Sequence, residues 1–121
     1  MPQLDSQTMA GMTGQLAGHG LVWAKMWAAG TPLNRIFTTE SLFWAAFNIA
    51  SETISSSAAS LTGSPVAGIV VPAGVQLAAL NMYNAPSARV VSRLSSGDVT
   101  AVADSPFLAG TLGSVVAKYW A

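Results

Sequence analysis

Residues 39–83 read TESLFWAAFNIASETISSSAASLTGSPVAGIVVPAGVQLAALNMY. The stretch decides the fold class, because it holds two apolar runs joined by a helix stop and a helix start. Thr38 or Thr39 can cap the first run, and Glu40 lies in the opening turn, where the helix dipole favours an anion. Phe43, Phe47, Ala50, Ile54, Ser57 and Leu61 follow alternating steps of four and three, a heptad-like seam. Asn48, Ser51, Glu52, Ser55 and Ser56 lie away from it. Residues 42–47 are apolar all round, which predicts burial on more than one side. The spacing therefore predicts one helix over 39–62, stopped by Gly63. Ser64-Pro65 restarts the chain with serine at the N-cap and proline in the first turn. A second helix is predicted over 64–83, carrying Val66, Ile69, Val70, Val71, Val75, Leu77 and Leu80. Pro72 interrupts it, and an interior proline removes a hydrogen bond and kinks the axis. Residues 66–71 also read as a short buried strand, which periodicity does not separate from a helix over so short a run. The kinked helix is the reading adopted.

On the N-terminal side a helix is predicted over 6–29, with Asp5 or Ser6 as its cap. Met9, Met12, Leu16, Trp23 and Met26 recur at helical spacing and predict an apolar stripe. Ala10, Gly14 and Gly18 stand four apart on another face, the small-residue spacing that lets a second helix backbone come close. The opposing reading is that Gly11, Gly14, Gly18 and Gly20 simply weaken the helix, each by up to about 1 kcal/mol against alanine. Gly30 and Thr31-Pro32 end the segment. On the C-terminal side a short helix over 87–95 places Arg89 and Arg93 one turn apart, and Gly97 ends it. Residues 98–104 carry only a weak pattern. Ser105-Pro106 opens a closing helix over 105–120, with Leu108, Leu112, Val115, Val116 and Tyr119 on one face. The fold class is thus mostly α: a single domain over 1–121, built as a small hairpin or bundle of three to five helices around a Pro-kinked apolar helix.

Charge is the scarcest thing in this chain. Asp, Glu, Lys and Arg make up 8% of it, where an ordinary soluble domain carries about 25%. No Asp, Glu, Lys, Arg or His occurs between residues 53 and 88, and the mean hydropathy is +0.47. A solitary domain of 121 residues exposes much of its surface and needs charge to cover it. Much of this surface is therefore expected to be covered by lipid, by copies of the chain or by other subunits. The net charge is zero, so nothing attracts nucleic acid. The absence of cysteine removes disulfide and thiolate chemistry. The first five residues hold no basic region before an apolar run, which argues against a cleaved secretory signal.

A membrane hairpin is one way to supply that cover. The two central helices would meet at a tip over 62–65, with Trp44 and Tyr83 at one level and Arg35, Arg89 and Arg93 beyond it on one side. Glu52 argues against lipid around the first of them, since an ionised carboxylate at the bilayer centre costs about 2.5–3.5 kcal/mol or more. It must face a wet or paired interior, and Arg89 and Arg93 lie too far along the chain to pair with it.

Catalytic chemistry finds no foothold. No serine sits in G-x-S-x-G or S-x-x-K, and no glycine run forms a phosphate loop. The five carboxylates are singletons. His19, between two glycines, is the sole histidine, and zinc needs three or four protein ligands. His19 is a weak candidate for axial ligation of a macrocycle, with Trp23 one turn on to flank it. Arg89 and Arg93 could grip an anion, although such a pair is more often a solvated face. The residues expected to carry packing or interface contacts are Ala10, Gly14, Gly18, Trp23, Phe43, Trp44, Phe47, Ile54, Leu61, Pro72 and Leu112. The expected function is that of a non-catalytic structural subunit without cofactor or metal. It would pack against copies of itself or other subunits, with lipid as a further neighbour, in a membrane or inside a large assembly. The rivals are a filament, shell or virion protein outside lipid, and a small membrane subunit carrying haem or pigment.

Overall fold

Four helix starts obey the capping chemistry written in the sequence. The computed structural model describes residues 6–83, 92, 93 and 95–120, and among these the chain is helical, without strands. The elements are α1 (Ser6–Ala28), α2 (Leu33–Ile36), α3 (Thr39–Ser51), α4 (Ile54–Thr62), α5 (Pro65–Tyr83), a 3-10 helix (Val99–Asp104) and α6 (Pro106–Trp120). Thr38 caps α3 by accepting from the Ser41 amide at 3.0 Å. The Ser64 and Ser105 hydroxyls accept from the Val66 and Leu108 amides, each at 3.3 Å. Asp98 accepts from the Thr100 amide at 3.1 Å and opens the 3-10 helix. Gly63 ends α4 in the left-handed conformation, with φ of 69°. Residues 66–71 are helical throughout, which removes the strand reading. Most of the short helix expected over 87–95, Arg89 included, lies outside the described residues, and so does the Tyr83 side chain on which the hairpin argument drew.

The helix expected over 39–62 is two helices. The chain tightens at Glu52 and Thr53, where amides reach back three residues: Glu52 to the Ile49 carbonyl at 3.2 Å and Thr53 to the Ala50 carbonyl at 3.1 Å. Hydroxyls drive this. Ser51 Oγ donates to the Asn48 carbonyl and Thr53 Oγ1 to the Ala50 carbonyl, both at 2.7 Å, and so compete with the helical ladder. The heptad seam is lost with the break. Phe43 is 59% exposed and Leu61 87% exposed, and Ile54 is only half-buried. The face that is buried instead carries Asn48, Ser51, Glu52 and Ser55.

The same inversion holds in α1 and α6. Met9 and Leu16 of the predicted stripe and Leu112, expected to pack, are exposed, whereas Leu108 is buried. The buried face of α1 runs Thr8, Gly11, Gln15, Gly18 and Val22 in steps of three and four. Small residues explain it. A Cβ at Gly14 would collide with the Gly113 carbonyl, and one at Gly18 with the Ala109 carbonyl. The two helices therefore run antiparallel with backbones almost touching, and no room is left between them for large side chains. This is the close approach predicted for Gly14 and Gly18, with Ala10 half-buried beside it. A small apolar core of Leu80, Phe107 and Leu108 sits at one end, with Trp44 and Phe47 packed on it. The Trp44 ring meets Phe47 and Phe107 edge-on, at 5.6 and 5.7 Å between centroids.

Candidate functional site

Pro72 has no amide hydrogen to give to the Gly68 carbonyl four residues earlier, so that oxygen is left over inside the bundle. Two side chains take it. Ser55 Oγ donates to it at 2.8 Å and Lys118 Nζ at 3.0 Å. Lys118 also donates to Ser55 Oγ at 2.6 Å and pairs with Glu52 Oε1. All three ammonium hydrogens thus have an oxygen. Both charged side chains are 0% exposed.

Around this ion pair the amides close a network. Gln15 Nε2 donates to Glu52 Oε2 at 2.8 Å and to Gln76 Oε1 at 2.9 Å. Gln76 Nε2 donates to Glu52 Oε2 at 2.6 Å and to Ser51 Oγ at 2.8 Å. Thr111 Oγ1 donates to Gln76 Oε1 at 2.8 Å. Burial pushes the Glu52 carboxyl up, but the hydrogen bonds from Lys118, Gln15 and Gln76 outweigh it and hold the group below its ordinary range. The carboxylate stays ionised beside its lysine. A buried pair of this kind is unforgiving: loss of one partner typically costs about 3–5 kcal/mol, although replacing both by apolar groups is often harmless. The carboxylate and the ammonium are thus both held by groups of the chain itself, while Gln15 Oε1 beside them has no hydrogen-bond partner among the described residues.

The second place of interest is a cleft of about 460 Å³ at the Trp44 end of the bundle. Its walls include His19, Trp23, Arg35, Trp44, Asp104 and Phe107. An apolar groove of about 480 Å³ adjoins it and shares Trp23 and Ile36. His19 is 2% exposed. Its Nδ1 lies 2.9 Å from the Gln15 carbonyl, which can only accept, so the proton sits on Nδ1 and the Nε2 lone pair is left bare. Burial lowers the His19 pKa, against the smaller opposing effect of that hydrogen bond, and the ring is neutral. Trp23 packs against it at 5.4 Å between centroids. Gly110 leaves the space the ring occupies, since a Cβ there would overlap it.

Arg93 does not stand ready for an external anion. It pairs with Asp98 and Asp104 of its own chain, each at 3.0 Å. Thr100 and Arg93 hydrogen bonds hold the Asp98 carboxyl below its ordinary range, and Lys25 and Arg93 do the same for Asp104. Of the other packing residues, Trp44, Phe47 and Pro72 are packed or buried, whereas Phe43, Leu61 and Leu112 point outward. Lys118, Gln15, Gln76 and Thr111 were not singled out by sequence reasoning. For Gln15, Thr111 and Lys118 a signal was there, since Thr8 and Gln15 in α1 and Thr111, Ser114 and Lys118 in α6 stand at helical spacing beside small residues; Gln76 is alone in α5 and carried none. Among the described residues no group of three or more His, Asp or Glu side chains could hold a metal ion. No protein-family model, no characterised protein and no solved structure matches this chain.

Proposed function

We propose that the chain is a non-catalytic structural subunit that packs into a larger assembly associated with a membrane. One observation carries the reading: the molecule is polar inside and apolar outside. Among the described residues twelve polar or charged side chains are buried, against eight hydrophobic ones and Pro72. The outer surface presents Leu16, Phe43, Leu61, Val66, Val70 and Leu112, among others, to whatever surrounds it. A surface so apolar marks contact with lipid or with protein. The buried network gives the bundle its shape, and α5, bent at Pro72 in this reading, lends it Gln76 and the Gly68 carbonyl.

A second reading is favoured by a separate fact. Among the described residues no helix is long and apolar enough to cross a membrane. Copies of the chain would then cover one another's outer faces in a filament or shell outside lipid.

Mass measurement by light scattering, in plain buffer and in mild detergent, tests both. The membrane reading expects precipitation in buffer and a defined small complex in detergent. The shell reading expects ordered particles in buffer alone. A single-copy species that stays soluble in buffer at high concentration overturns both.

A further inference from the structure

His19 is held as a ligating imidazole is held. The Gln15 carbonyl fixes its tautomer and orientation, the device by which a backbone oxygen sets a ligating imidazole. Among the described residues its Nε2 makes no hydrogen bond. The ring forms part of the wall of the cleft, walled also by Trp23, Trp44 and Phe107. The Arg35 side chain, on the same cleft, makes no hydrogen bond or ion pair among the described residues. A bare divalent cation is not the occupant. It needs three or four protein ligands, and the described residues assemble no such group. A metal bound through one imidazole must bring its remaining ligands with it. A planar aromatic chelate does so, and its faces suit a cleft of aromatic walls.

We propose that this cleft binds a metal-centred tetrapyrrole, with His19 Nε2 as the axial ligand, aromatic contacts from Trp23, Trp44 and Phe107, and Arg35 toward a ring carboxylate. The cleft volume of about 460 Å³ falls in the ordinary range for small-molecule sites, about 300–1,000 Å³. The proposal does not depend on the assembly reading, since it concerns one cleft and not the outer surface.

The test is a titration of the full chain in mild detergent with iron protoporphyrin, zinc protoporphyrin and metal-free protoporphyrin, followed by absorption. Saturable one-to-one binding of both metal forms is expected, with a shifted Soret band and at least tenfold weaker binding of the metal-free ring. His19→Ala is expected to lose the shift, and added imidazole to restore it by refilling the vacated place. Ser41→Trp, which adds bulk to the cleft wall and leaves His19 intact, is expected to lose binding with the helical circular dichroism unchanged. Equal binding of the metal-free ring, an unshifted band, or full binding in Ser41→Trp overturns the proposal. So does a folded His19→Ala chain that binds as the parent does. Should His19→Ala fail to fold, the Ser41→Trp and metal-free results decide alone.

Discussion

Gly14 and Gly20 have the same side chain and opposite environments, and they make the sharpest single-residue comparison in the chain. A Cβ at Gly14 meets the backbone of α6, while at Gly20 it meets nothing within 4 Å. Gly14→Ala is expected to push the helices apart and lower stability by about 1–3 kcal/mol. Gly20→Ala removes only a weak helix former and is expected to raise it by up to about 1 kcal/mol. Thermal unfolding of the two variants checks both signs. Glu52 and Lys118 give a second comparison. Glu52→Leu and Lys118→Met are each expected to cost about 3–5 kcal/mol, and the double variant to recover most of that loss. A double variant no better than the worse single one, measured by denaturant titration, would contradict the account. At this scale the sequence spoke clearly for Gly14 and Gly18, whose spacing means close approach whatever the partner helix is. It was silent on the partner of Glu52, since Lys118 lies 66 positions away and no local pattern links the two.

Helix α5 is the element whose irregularity has the plainest use. Pro72 frees the Gly68 carbonyl, and Ser55 and Lys118 occupy it. Pro72→Ala returns an amide that competes for this oxygen. The exchange of an interior proline would ordinarily gain about 3 kcal/mol. Here the gain is expected to be smaller in the parent chain than in a Lys118→Met background, where the oxygen has lost one donor. Equal gains in both backgrounds would show that the carbonyl and the lysine are not coupled. The caps at Thr38, Ser64 and Ser105 and the stop at Gly63 were legible because each is a local hydrogen-bonding event. The break at Glu52 was not read. Serine and threonine compete with the helical ladder only when their rotamers permit, and spacing does not carry that information.

Across the whole molecule the partition of polar and apolar residues sets the behaviour toward solvent. On the proposed assembly reading, replacing Val66, Val70 and Leu77 together by serine is expected to lower the mass measured by light scattering toward that of a single copy. The unfolding midpoint should change little, because these side chains are exposed. A collapse of the midpoint would mean that they hold the bundle itself. Acid should act on the interior. The folded Glu52 carboxyl titrates below its ordinary value of 4.5. Its contribution is therefore fully present above about pH 4.5 and lost as pH falls through the lower folded value. Glu52→Gln is expected to be weaker near neutrality and flatter below that point, read as unfolding midpoints across the acid range. The sparseness of charge gave the expectation of an apolar outer surface, and many large apolar side chains are indeed exposed. It did not say which faces lie outside, because periodicity reads the same for an apolar stripe turned in or out.

The contact between Gly14 and Gly113 also constrains how the chain is made. Its two halves are separated by almost a hundred residues. At a synthesis rate of about 5–20 residues per second, α1 waits roughly 5–20 s for its mate to leave the ribosome. During that wait Glu52 has no lysine and Gln15 no finished cradle, while the valines of α5 are already out. The close helix pair is therefore among the last parts of the molecule to form during synthesis.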